Sequence, residues 1–185
     1  MANKIILIGG TAGTGKTTLA KEISHSMNIT HRLGTGFIRE ILKSYLKKEQ
    51  FPVLHSYTFR PKDSKNLESN FKEQAKIVCK SVNAIINRAY KEGTSIIIEG
   101  NHLLPKYLDL NKISFFVILD CNIEDIKKRI KSSTHSRRDI SESDINNILR
   151  IGNIIKEIAK TNNIPVIQNK NIKESIKLIK QKCNI

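Results

Sequence analysis

The segment Gly10-Thr11-Ala12-Gly13-Thr14-Gly15-Lys16-Thr17 fits the pattern G-x-x-x-x-G-K-[ST] in full. Its chemistry follows from the residue types. Glycines tolerate positive φ and let the backbone come close to a ligand, so consecutive N–H groups can converge on phosphate oxygens. A helix that starts at this point adds the positive end of its dipole. Lys16 is then placed to bridge the β- and γ-phosphates of a nucleoside triphosphate. The Thr17 hydroxyl is placed to ligate Mg²⁺, with Thr18 next in line beside the phosphates. The segment implies a site for ATP or GTP.

A second acidic group has to help hold the metal, and two apolar runs end in one: Ser95-Ile96-Ile97-Ile98-Glu99 and Phe116-Val117-Ile118-Leu119-Asp120. Glu99 is followed by Gly100-Asn101-His102, a polar cluster at the carboxyl end of a strand, where ligands bind in open α/β sheets. Glu99 is therefore the expected metal-side carboxylate, and Asp120 is expected to cap the helix that begins after Cys121. The five histidines lack metal-ligand spacing, so no transition metal is expected. No Asn-Lys-x-Asp segment for reading guanine stands in the second half, which argues against a regulatory GTPase and for phosphoryl transfer to a small acceptor.

The elements that must position these residues can be read from periodicity. Lys4 to Ile8 is an apolar strand, and Lys16 to Met27 a helix. His31 to Thr35 reads as a short strand and Phe37 to Lys47 as a helix, followed by a loop from Phe51 to Asn66 that holds two prolines. Apolar residues from Phe71 to Ala89 recur at helical spacing within Asn70 to Tyr90, with Gly93 as the stop. Thr94 to Ile98 and Ile113 to Leu119 are continuous runs of the kind found in strands buried on both faces. Asn122 to Ile130 reads as a helix, and the polar stretch Lys131 to Ile140 as an excursion. Ser141 with Asp144 forms a capping box that opens another helix. Ile164 to Ile167 is a last strand, before a final basic amphipathic helix over Asn171 to Lys182. Strands alternating with helices predict a doubly wound parallel sheet, class α/β, with helices on both faces.

Composition bounds the rest. At 185 residues the chain is expected to form one domain. Hydrophobic content of 39% with 26% charged residues and no long apolar run suggests no membrane span, and the start of the chain does not read as a signal peptide, so a cytoplasmic location is expected. Cys79, Cys121 and Cys183 are odd in number and far apart, which offers neither a disulfide framework nor a metal clip. With Lys plus Arg at 32 against Asp plus Glu at 17, the net charge is +15 and favours anionic partners. The lysines are scattered, aromatic residues are only 5% and no nucleic-acid-binding motif is present, so a small anionic metabolite fits better than nucleic acid. Either a monomer or a homodimer is compatible with this composition.

Four segments together resemble the 2-phosphoglycerate kinase family of P-loop kinases: Gly9 to Thr18, Gly34-Thr35-Gly36-Phe37-Ile38-Arg39-Glu40, Phe71-Lys72-Glu73-Gln74-Ala75, and Ile97 to Pro105 with its Glu-Gly-x-His-Leu-x-Pro core. The resemblance runs from Lys4 to about Ile176. It implies a five-stranded parallel P-loop kinase fold, ATP with Mg²⁺ as donor, and a lid after the fourth strand, at about 131–140. Arg137 and Arg138 would then act in that lid on the transferring phosphoryl group, and Arg129 would lie near the nucleotide. By a more remote similarity to nucleoside monophosphate kinases, Arg39 would grip the acceptor's phosphate. Thr35, Arg60, Gly100 and His102 complete the expected acceptor site, and Glu99 serves as metal ligand or general base.

The family pattern places Ser-Thr-Asp where this chain has Gly34-Thr35-Gly36, so one acidic group is missing. That departure favours mevalonate 3-phosphate, phosphorylated on its 5-hydroxyl, over 2-phosphoglycerate as the acceptor. A nucleoside monophosphate kinase and a nucleotide-dependent nucleic-acid-binding protein are the remaining alternatives.

Overall fold

Successive side chains of the first strand point into two different cores, and the layers of the molecule follow from that. In the computed structural model, which describes residues 3–61, 66–131 and 139–182, β1 (Ile5–Gly9) is buried along its whole length. Ile5 and Leu7 join a core with Val78, Val82, Ile148 and Ile155, whereas Ile6 and Ile8 join one with Leu19, Ile23 and Ile179. A strand buried on both faces must be apolar without alternation, which is what Ile-Ile-Leu-Ile supplies.

The other elements are α1 (Lys16–Ser26), β2 (His31–Gly34), α2 (Thr35–Tyr45), a turn of 3-10 helix at Pro52–His55, and α3 (Leu67–Lys91). After these come β3 (Ile96–Gly100), β4 (Phe115–Asp120), α4 (Ile123–Lys131), α5 (Glu142–Thr161), β5 (Val166–Gln168) and α6 (Ile172–Lys182). All five strands are parallel, in the order β2-β3-β1-β4-β5. The expected α/β fold with a doubly wound parallel sheet is the observed one. Register sets Gly34 opposite Glu99, Ile8 opposite Glu99 and Gly9 opposite Gly100, so these residues gather at one edge, where the strands end.

Some boundaries differ from the sequence reading. Thr35, expected at the end of a strand, is the first residue of α2, because Gly34 takes the extended N-cap conformation and its strand stops there. Part of the expected loop at 51–66 folds into the 3-10 turn, with Pro52 at its first position. Asp120 does not cap α4. The Asn122 side chain does so, its Oδ1 accepting from the Asp125 N–H at 2.7 Å, while Asp120 is buried against Lys156 (3.1 Å) and Gln168 (2.7 Å). The expected capping box is present: Ser141 Oγ accepts from the Asp144 N–H and Asp144 Oδ2 from the Ser141 N–H. Among the described residues no helix is long and apolar enough to cross a membrane.

Candidate functional site

The loop between β1 and α1 is shaped by its glycines. Gly10, Gly13 and Gly15 have φ of 134°, 80° and 92°, all in the region closed to ordinary side chains. Gly15 shows the consequence most directly. It is the left-handed N-cap of α1, no side chain caps that helix end, and a Cβ on it would stand 2.6 Å from Asn169 Nδ2. The helix therefore begins with backbone donors available to an anion.

Side chains tie the loop down from behind. Thr14 Oγ1 donates to the Thr11 carbonyl at 2.9 Å, Thr11 Oγ1 to the Ile148 carbonyl at 2.9 Å, and Asn169 Nδ2 to the Thr14 carbonyl at 2.9 Å. Arg129 Nη1 reaches the carbonyls of Gly13 and Thr14 at 3.4 and 3.3 Å. Ala12 packs on the core beneath. Lys16 lies along the loop, its Nζ donating to the Thr11 carbonyl at 2.7 Å. Burial lowers the pKa of this ammonium, and the negative charge of Glu99 works against that shift. Gly15, Thr18, Arg129, Asn169 and Ile172 line a hollow of about 240 Å³ beside the loop. Arg129, expected near the nucleotide, lies beside the glycine loop and lines this hollow.

Thr17 and Glu99, 82 residues apart, meet at this edge: Thr17 Oγ1 donates to Glu99 Oε1 at 2.9 Å. A hydroxyl and a carboxylate are hard oxygen donors of the kind Mg²⁺ takes, usually with water and substrate phosphate filling the remaining positions. Among the described residues no group of three or more His, Cys, Asp or Glu gathers that could hold a metal by itself.

Residues expected on the acceptor side engage one another. His102 is 2% exposed, and both ring nitrogens are engaged: Nδ1 with Thr35 Oγ1 at 2.9 Å and Nε2 with Gln74 Oε1 at 2.8 Å. The Gln74 amide donates to the carbonyls of Val53 and Ser56, so its Oε1 must accept. His102 therefore carries its proton on Nε2 and accepts the Thr35 hydroxyl proton at Nδ1. Burial, reinforced by the positive charges of Arg39 and Lys16, lowers its pKa to about 3 and keeps the ring neutral. Neither His102 nor the Thr35 side chain, itself fully buried, reaches an acceptor in this arrangement. Gly100 is likewise a packing residue, since a Cβ there would lie 1.8 Å from Thr35 Oγ1.

Arg60 is not presented to an acceptor as expected. It grips Asp144, Nε to Oδ1 at 2.8 Å and Nη2 to Oδ2 at 2.6 Å, and also reaches the Asp139 carbonyl. Arg39, expected to grip the acceptor's phosphate, is largely buried. It is 9% exposed, donates to the Ser56 carbonyl at 3.1 Å and to Glu40 at 2.5 Å, and its guanidinium lies 5.6 Å from the Tyr57 ring centre. Its buried Nε–H finds no partner among the described residues. Arg137 and Arg138, with most of the expected lid, lie outside the described residues.

Sequence reading missed Asn169, Gln74, Asp144 and Asn147 as parts of the site. Gln74 had left a signal, because it interrupts the apolar face that Phe71, Ala75 and Val78 form on α3. The two described cysteines, Cys79 and Cys121, are free and buried. Burial raises the Cys79 thiol to about 11 and raises Cys121 as well, and Cys183 lies outside the described residues.

The family model described as "AAA domain" matches residues 6–174, most of the chain, from within β1 through β5. The chain belongs to the AAA domain family. Within this family it is similar to proteins named 2-phosphoglycerate kinase: 34% identical to the one from Pyrococcus horikoshii over 95% of this chain, and 32% identical to one from Methanococcus maripaludis over 97%. The resemblance read from the sequence is thereby borne out. The chain spans 62% of the length of each of these relatives. Solved structures with the same fold include shikimate kinase from Acinetobacter baumannii (TM-score 0.59, 14% identity, 98% of this chain and 92% of that one). A sugar kinase from a Janibacter species gives a TM-score of 0.63 at 15% identity, over 99% of this chain and 95% of that one. The P-loop kinase fold of this AAA family member is shown by these likenesses together with its own sheet order.

Proposed function

We propose that this protein is an ATP-dependent kinase that transfers the γ-phosphoryl group to a hydroxyl of a small phosphorylated hydroxy acid. The observation that carries this reading is the meeting of Thr17 and Glu99 at the mouth of a glycine loop whose buried Lys16 lies alongside. Those three side chains supply what phosphoryl transfer asks of a protein, namely a cation for the β- and γ-oxygens and oxygen donors for a metal. Mg²⁺ held by Thr17, with Glu99 beside it, would neutralise charge on the phosphates.

The chain's own residues then do the positioning. Backbone N–H groups from Gly13 to Thr17 bind the phosphate tail. Lys16 leaves the Thr11 carbonyl to reach it, and the hollow beside Arg129 and Thr18 takes the base. Glu99, at the end of β3, is also the carboxylate placed to accept the acceptor's hydroxyl proton. Arg39, with a buried N–H still to satisfy, is the cation for the acceptor's anionic group. Because the transition state of phosphoryl transfer is loose, positioning and charge neutralisation carry most of the rate, and the absence of an acidic side chain at Gly36 is tolerable.

For the acceptor, 2-phosphoglycerate is the better-supported choice, because the similar proteins from Pyrococcus and Methanococcus carry that name. The preference for mevalonate 3-phosphate rested chiefly on the missing acidic group at Gly36 and finds no support among these relatives. An ADP-release assay with MgATP tests the choice. Turnover with 2-phosphoglycerate and none with mevalonate 3-phosphate or with AMP, CMP, GMP and UMP is expected. Turnover confined to a nucleoside monophosphate, or ATP hydrolysis stimulated only by nucleic acid, would overturn the reading.

A further inference from the structure

The donor cradle and the acceptor-side loop are 40 to 50 residues apart in sequence, yet both are fastened to one helix. On α5, Ile148 accepts the Thr11 hydroxyl at 2.9 Å, and a Cβ on Gly152, one turn later, would stand 3.0 Å from the Thr11 methyl group. This end of the helix holds the nucleotide loop. One turn earlier, Asp144 takes Arg60 in a two-pronged ion pair, and Asn147, next to Ile148, donates its Nδ2–H to the Phe59 carbonyl at 3.0 Å. Those contacts hold the segment 51–61. Asp144, Ile148 and Gly152 follow at intervals of four, so they lie along one face of a single rigid rod.

The segment so held has little structure of its own beyond the 3-10 turn. Its carbonyls at Val53 and Ser56 go to Gln74, Ser56 also receives Arg39, and Thr58 Oγ1 receives Asn101 Nδ2 at 3.0 Å. Two of the groups that place Arg39, the Ser56 carbonyl and the Tyr57 ring, therefore depend on where this segment sits, whereas Glu40 is its neighbour on α2. Arg60 also lies across the rings of Tyr57 and Phe59, at 5.8 and 5.7 Å from their centres, so the ion pair on α5 fixes the aromatic residues beside Arg39 as well.

We propose that Asp144 and Asn147 are positioning residues that hold the acceptor-side segment at a set distance from the nucleotide loop, with α5 as the strut between them. This inference rests on the kinase reading above. The strut gives the two halves of the site a physical reason to communicate. Lys16 and Thr14 both bind the Thr11 carbonyl, while the Thr11 hydroxyl binds α5, so drawing Lys16 away onto phosphate alters the residue that α5 holds. The Asp144 carboxyl, held down to about 2 chiefly by its hydrogen bonds with Arg60, stays charged at every working pH, so the clasp is permanent rather than pH-switched.

Asn147→Ala and Asp144→Asn test this, the second keeping a side-chain oxygen for the helix cap. Each variant is expected to raise the acceptor KM about tenfold, as loss of one charge-assisted or buried hydrogen bond does. The calorimetric Kd for MgATP should stay within about twofold of wild type, and kcat should change little by comparison. Hydrogen exchange gives a second readout that needs no acceptor. On adding Mg²⁺ with a non-hydrolysable ATP analogue, the amides of 51–61 should gain protection in the wild type and fail to gain it in Asn147→Ala. Acceptor KM and nucleotide Kd moving together, or a lowered melting temperature with both constants and the exchange response intact, would overturn the strut and leave the kinase reading standing. A wild-type protein that binds no MgATP would overturn that reading and the strut with it.

Discussion

The nucleotide loop and the acceptor-side segment face the same edge of the sheet but are built in opposite ways. The backbone of the loop is local: eight consecutive residues set it and three glycines take conformations closed to other residues, while contacts with Ile148, Arg129 and Asn169 secure it from distant elements. The acceptor side is assembled from afar. His102 meets Thr35 across 67 residues and Gln74 across 28, Arg60 meets Asp144 across 84, and Asn147 meets Phe59 across 88. A shape set by backbone geometry tolerates few substitutions, whereas one set by distant side-chain pairs can change through a single substitution at either partner.

Mutations can break or sharpen this contrast. The largest effect is expected from Lys16→Ala, which removes the cation of the loop and should lower kcat by about 10³-fold or more with the fold retained, as read by ADP release and circular dichroism. A folded variant with wild-type turnover would detach the loop from the chemistry. Glu99→Gln keeps a partner for Thr17 but not the charge. Activity should fall by about 10- to 100-fold and half-saturation by Mg²⁺ should move to higher concentration, measured in a magnesium titration of the rate.

A smaller effect, on stability rather than chemistry, is expected at the acceptor side. With a pKa of about 3 folded against 6.5 unfolded, His102 takes up its proton only in the unfolded chain between those values. Its contribution is complete above about pH 6.5 and is lost as the pH falls. The loss should reach about 2 kcal/mol by pH 5 at roughly 1.4 kcal/mol per unit. His102→Gln removes that dependence, so the stability gap between wild type and variant in urea unfolding should narrow by about that amount from pH 7 to pH 5. Parallel profiles would mean that the ring is not held neutral. Smallest of all, Arg88→Ala breaks an exposed ion pair with Glu92 far from either half of the site. It should change stability by less than about 0.5 kcal/mol in the same unfolding experiment and leave turnover unaltered.

The same contrast decided what could be read from the sequence. The strands and the glycine turn between β1 and α1 were legible, because each depends on a short run of residues. The capping box at Ser141 and Asp144 was legible for the same reason. His102, Gly100 and Arg60, expected on the acceptor side, are engaged by neighbouring residues that the sequence does not announce. A polar residue near a site reads the same whether it touches a ligand or a neighbour, and only the fold reveals that Gln74 and Thr35 satisfy the ring and Asp144 the guanidinium. Asp144 shows the limit well. Its local partner Ser141 is three residues away and predictable, whereas its second partner is on another element.

The central claim is that the glycine loop holds the phosphates of a magnesium nucleotide. Isothermal titration of the wild-type protein with MgATP measures this most directly. A saturable one-site isotherm that weakens sharply in the Lys16→Ala variant and when magnesium is withheld is the predicted result. A flat trace from folded wild-type protein, or an isotherm indifferent to both changes, would contradict it.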